Sequence, residues 1–132
     1  MKKFVFSVET DEKCGFYDIT DEVKKIARDS GVKEGICVVY VPHTTAGVNI
    51  NENCDPNVTL DLKNAFTDNI PDIKYYHDEG NSSGHFNTAL VGNSENIIIE
   101  DGELQLGTWQ AIFFAEFDGP RSRQCYVKII NG

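Results

Sequence analysis

The sequence predicts a single α+β domain spanning residues 1–132, with largely antiparallel β-sheets and two or three helices. Three observations lead there. Short segments rich in β-branched and aromatic residues recur along the chain, and two of them meet at Asp101-Gly102, a tight hairpin-turn pair. Two or three other stretches carry helical spacing instead. No repeat, low-complexity tract or linker divides the chain, so these elements share one core.

The elements follow in order. KFVFSVE alternates apolar and other residues as a strand does, and GFYDIT is its partner beyond a turn at 11–13. Thr20 is the expected N-cap of a helix over DEVKKIARDS. There Val23, Ile26 and Ala27 form the apolar stripe, acids occupy the first turn and Gly31 ends the run. GICVVYV reads as a fully buried strand stopped by Pro42, and VNINEN as another strand after the HTTAG turn. Asp55-Pro56 is a helix start; Val58, Leu62, Ala65, Phe66 and Ile70 keep helical spacing until Pro71. The stretch 75–84 reads as loop, and FNTALVG as a short helix. ENIIIEDGELQL is the hairpin, with a second strand expected to run on through TWQAIFFAEF, and RQCYVKII closes the chain. Helices are expected on one face of the sheet. The other face is large for this length, which favours an oligomer that buries it.

Twelve basic against twenty-one acidic residues give a formal charge of -9, and a field of that sign repels polyphosphate backbones. A nucleic-acid partner is therefore not expected, whereas a small anion held by local donors is compatible. No apolar run approaches the length of a membrane span, and the first residues lack the pattern of a signal peptide, so no membrane association and a cytoplasmic location are expected. Cys14, Cys37, Cys54 and Cys125 form no CxxC pair, which argues against a thiolate zinc knuckle. Cys54 stands apart because it follows NEN in a polar region.

All three histidines lie in polar, glycine-bearing segments, His43 in VPHTTAGVNINEN and His77 and His85 in HDEGNSSGH. A single loop histidine is more often a solvated or hydrogen-bonding group than a ligand. Three imidazoles from separate segments also suit a divalent metal with one open position, and spacing alone leaves both readings open. Glu79, between His77 and His85, is placed to orient a histidine or to move a proton. Arg121 and Arg123 in FDGPRSR share one face if extended. Guanidinium forks there suit phosphate or carboxylate, or else pair with acids of this acid-rich chain. Thr44, Thr45, Ser82 and Ser83 supply hydroxyl donors of the kind anion sites use. In LGTWQ a glycine stands near Trp109, a residue expected in the core or at a subunit interface.

Taken together, HTTAGVNINEN followed by DP, then HDEGNSSGH, LGTWQ and EFDGPRSR, the chain resembles the YjbQ-like family, UPF0047, over nearly its whole length. The resemblance implies a secondary thiamine-phosphate synthase, joining a pyrimidine pyrophosphate to a thiazole phosphate, in a homotrimer. It also implies that His43, His77 and His85 converge on a metal, zinc or a similar ion, or on an oxyanion. Glu79, His77 and Asn81 would be catalytic, and Arg121, Arg123, Thr44 and Thr45 would receive the phosphate of a phosphorylated small molecule. Three imidazoles suit zinc better than the magnesium such transferases usually hold with carboxylates. A metal-dependent hydrolase or lyase on another phosphorylated metabolite therefore stays open, as does a non-catalytic metal- or phosphate-binding module.

Overall fold

The computed structural model describes residues 2–132. Eight strands and three helices follow in the order β1 (Phe4–Glu9), β2 (Gly15–Asp18), α1 (Thr20–Ser30), β3 (Gly35–Tyr40), β4 (Ala46–Glu52), α2 (Pro56–Asp68), α3 (Ser82–Val91), β5 (Ser94–Glu100), β6 (Glu103–Leu104), β7 (Gln110–Glu116) and β8 (Ser122–Asn131). They form two sheets, ordered β1-β8-β3-β5-β6 and β2-β7-β4, and every strand pair is antiparallel.

The main core lies between the sheets. Val8, Cys37, Val39, Ile97, Ile99, Cys125, Val127 and Ile129 point inward from the larger sheet and meet Ala46, Val48, Ile112 and Phe114 of the smaller one. Phe114 is fully buried, and removing such a side chain from water contributes roughly 1.5–3 kcal/mol. A second cluster of Cys14, Ala115 and Phe117, with Phe16, Phe66 and Val91 packed against it, binds α2 and α3 to the other face of the smaller sheet. Strand β7 is thus covered on both sides, which is why Ala111 to Glu116 are buried without alternation. The helices do not all cover one sheet face as expected, because α1 sends Val23 and Ala27 into the inter-sheet core instead.

Three boundaries and the burial of one residue differ from the sequence reading. Thr20 is the first helical residue of α1 and makes no N-cap contact. The Asp18 carboxylate accepts from its backbone N–H at 2.9 Å and its hydroxyl at 2.6 Å. The hairpin turn forms as expected, with Asp101 and Gly102 at φ 52° and 77°, but β6 then stops after two residues. A tight turn ends the run: the Gln110 side chain accepts from the Gly107 N–H at 2.7 Å, and the chain enters the second sheet as β7. Trp109 sits on that turn and is 59% exposed, so it is not a core residue. Finally, α3 begins at Ser82, four residues before the expected FNTALVG helix, and takes in His85. Asp55 does cap α2 as its sequence indicates, accepting from the Asn57 N–H at 2.9 Å. No described helix is long and apolar enough to cross a membrane.

Candidate functional site

Three chain segments meet at one end of the sandwich: the β3–β4 loop, the start of α3 and the β7–β8 loop. The first is held by Asn93, whose side-chain amide donates to the carbonyls of Val41, His43 and Ala46 at 3.1, 2.9 and 3.2 Å. The second fits because residue 84 is glycine. A Cβ there would lie 2.9 Å from the Phe117 carbonyl oxygen and 3.4 Å from the Thr45 side chain, so any larger residue would push α3 off the strand end. The third is organised by two acids that the sequence reading passed over, Glu116 and Asp118.

Glu116 has no exposed surface. It accepts from Arg123 in a two-pronged ion pair, from the Thr10 hydroxyl at 2.7 Å and from the Asp118 N–H at 3.0 Å. Burial alone would raise its pKa, but these bonds outweigh it and the net shift is downward. Asp118 accepts from Lys13 at 2.7 Å, from the Asn81 amide at 2.9 Å and from Arg121 Nη2 at 3.0 Å. Burial again acts upward, and the three donors hold the carboxyl at about 2. Asp118 therefore ties together the β1–β2 turn, the first turn of α3 and the start of β8.

Between these segments lies an open cavity of about 470 Å³, lined by Pro42, His43, Thr44, Thr45, His77, Glu79, Asn81, His85, Arg121 and Arg123. All nine residues singled out in the sequence reach it, from segments up to eighty residues apart in sequence. Their engagement differs. Arg123 is 6% exposed; besides Glu116, its Nη2 donates to the Thr45 hydroxyl at 2.9 Å, so it belongs to a buried ion pair more than to a ligand fork. Arg121 is bonded to Asp118 through Nε and Nη2, yet half of its side chain is exposed and Nη1 makes no bond among the described residues. Asn81 spends its side-chain N–H on Asp118 and leaves its buried side-chain oxygen Oδ1 without a partner among the described residues. It occupies the N-cap position of α3 without a side-chain capping bond, and with His85 it brings the first turn of that helix to the cavity wall. Thr44 is exposed, and Thr45 is buried with its hydroxyl proton still available.

The histidines share the cavity but do not assemble as a three-ligand metal set; among the described residues no group of three or more His, Cys, Asp or Glu does. The reason is local. His43 Nε2 already accepts the Gln124 backbone N–H at 2.9 Å, which removes the lone pair a metal would need. Burial and the nearby Arg123 charge lower the His43 pKa and keep the ring neutral. His77 and His85 pair with each other, ring edge to ring face at 5.1 Å between centroids, and Glu79 lies 3.5 Å from His77 Nε2. Cys54 is an exposed free thiol outside this cavity.

A two-sheet α+β domain with imidazole, hydroxyl and guanidinium groups converging at its strand ends defines the class of protein. The chain matches the UPF0047 protein YjbQ-like family over residues 4–132 and belongs to it. It is 52% identical over 129 residues to UPF0047 protein MJ1081 of Methanocaldococcus jannaschii, covering 97% of this chain and 94% of that one. A solved YjbQ/UPF0047 family structure from Clostridium acetobutylicum has a TM-score of 0.92 at 51% identity, covering 96% of this chain and 99% of that one. A YbjQ-like protein of unknown function from Sulfolobus solfataricus gives 0.93 at 31% identity, covering 99% and 97%. None of these names assigns an activity, and none names the thiamine-phosphate synthase expected from the resemblance.

Proposed function

We propose that the cavity binds a phosphorylated small metabolite and that the chain acts on it as a transferase. One observation carries this reading: in a chain of net charge -9, Arg121, Thr44, Thr45 and the uncapped start of α3 surround one cavity. No diffuse field draws phosphate to such a protein, so local donors must supply the attraction. A helix N-terminus beside a guanidinium is suited to a phosphoryl oxygen. The cavity, about 470 Å³, has room for more than a bare phosphate.

Within this reading, Arg121 and the α3 N–H groups neutralise the charge of the phosphate or of a departing pyrophosphate. Glu79 and His77 move or hold the proton, since their 3.5 Å approach needs only a small side-chain rotation to become a hydrogen bond. The resemblance names the first substrate pair to try, a pyrimidine pyrophosphate and a thiazole phosphate. The steps are assigned to the chain's own residues, and His43, whose Nε2 accepts the Gln124 N–H, is not used as a metal ligand. The test is pyrophosphate release from that pair, in wild type and in Glu79→Gln. Release lost in the variant supports a transferase. Phosphate binding without turnover of any phosphorylated substrate would leave a binding module.

The second part of the proposal is assembly as a homotrimer. The outer face of the larger sheet exposes Val5, Ile36, Tyr40, Ile98 and Ile130. Register makes this one patch: Ile36 lies opposite both Ile98 and Ile130, and Tyr126 opposite both Tyr40 and Val5. An apolar sheet face of this kind is suited to burial against another copy, and the number three comes from the resemblance.

A further inference from the structure

His43 is pinned at both ends. Its carbonyl accepts from Asn93, and its Nε2 accepts from the backbone N–H of Gln124, just beyond the last β3–β8 pair. An N–H donor can be met only by an unprotonated ring nitrogen. Turning the ring by half a rotation would set a carbon-bound hydrogen against the same N–H, and an imidazolium would set one N–H against another. The bonded arrangement therefore selects one neutral tautomer, with the proton on Nδ1. That nitrogen makes no hydrogen bond among the described residues, and the residue lines the cavity that holds Arg121, Thr44 and the first turn of α3.

From this geometry we infer that His43 is a fixed neutral hydrogen-bond donor, presenting Nδ1–H to an oxyanion bound in the cavity. It serves neither as a metal ligand nor as a proton shuttle. The role rests on the anion-binding reading of the cavity. Two features favour the neutral ring over a charged one: the side chain is partly buried, and Arg123 stands close by with a permanent charge. A neutral donor polarises an oxyanion without adding a second desolvated cation beside Arg123. Because the main chain of both Val41 and His43 is stapled by Asn93, the donor is held in place before the ligand arrives, which limits the ordering cost of binding.

Nitrogen-detected magnetic resonance of the full chain, labelled at histidine nitrogens, tests this with inorganic phosphate as the probe. His43 is expected to give a pyrrole-type signal at Nδ1 and a pyridine-type signal at Nε2, with phosphate moving the first. Two variants separate the two nitrogens. His43→Gln can still accept the Gln124 N–H but has no donor at the Nδ1 position, and phosphate affinity should fall roughly tenfold with melting temperature little changed. His43→Asn keeps a donor near Nδ1 and should bind phosphate better than His43→Gln. A pyrrole-type signal at Nε2, or wild-type affinity in His43→Gln, overturns the inference while phosphate binding itself stands. Absence of phosphate binding by wild-type protein overturns the anion reading of the cavity, and the donor role with it.

Discussion

Replacing Asp118 by Asn removes one charge and almost no volume, at the point where three chain segments are tied. The carboxyl is held at about 2 against an ordinary 3.8. Fully realised, that difference stabilises the fold by roughly 2 kcal/mol at neutral pH. Two of its donors are solvated, with the Lys13 and Arg121 side chains 62% and 52% exposed, so screening reduces the figure to about 1–2 kcal/mol. Thermal unfolding at fixed protein concentration should show a loss of roughly 5 °C at pH 7. The sign of the pH dependence follows from the depressed folded-state pKa. The stabilisation is fully present above the unfolded value of 3.8 and is lost as pH falls through about 2. Wild type and Asp118→Asn should therefore differ by a constant amount from pH 7 to about pH 5, then approach each other below the ordinary 3.8 and converge as pH falls through about 2. A difference of the same size at pH 7 and at pH 2.5 would refute the reasoning, because it would then come from packing and not from charge.

Other consequences are equally direct. Glu116→Gln leaves Arg123 buried without its counter-charge and should cost about 3–5 kcal/mol, read as a fall in the urea midpoint. Chelator treatment should leave phosphate affinity unchanged, and a loss restored by zinc would return the histidines to a metal role. Light scattering should report a trimer for wild type and a smaller species for Ile98→Asp, whose new charge would sit on the apolar sheet face opposite Ile36; a monomeric wild type would contradict the assembly.

Much of the fold was legible because local chemistry decided it. Asp55-Pro56 and Asp101-Gly102 specify a helix start and a hairpin turn through their own backbone preferences, and both form where the sequence places them. Where the reading failed, one particular hydrogen bond had overridden the periodic signal. β6 stops because Gln110 folds its side chain back onto Gly107, a contact that no periodicity encodes. His85 falls inside α3 because the Asn81 carbonyl accepts from the Gly84 and His85 N–H groups at 3.0 and 3.3 Å, starting the helix in a stretch that reads as polar loop. The site divides the same way. Its lining residues stood out as polar motifs, and they do line one cavity. The roles of Arg121 and Arg123 separate only through Glu116 and Asp118. One acid is wholly buried, and the other is reached by Lys13 from 105 residues away in sequence. An acid within a run of apolar residues, as in FFAEFD, was the available signal, since a buried carboxylate needs a partner. Which arginine would provide it depended on strand register.

Phosphate binding in the cavity depends most directly on Arg121. Titration calorimetry with inorganic phosphate or a phosphorylated thiamine precursor, on wild type and Arg121→Ala, measures this, with melting temperature recorded on the same samples. A charged hydrogen bond of this type is worth roughly 1.5–3 kcal/mol, so affinity should fall about ten-fold to a hundred-fold. The melting temperature should fall little, because Asp118 keeps Lys13 and Asn81 as donors. Unchanged affinity together with a lowered melting temperature would make Arg121 a salt-bridge partner alone and contradict the phosphate-binding reading.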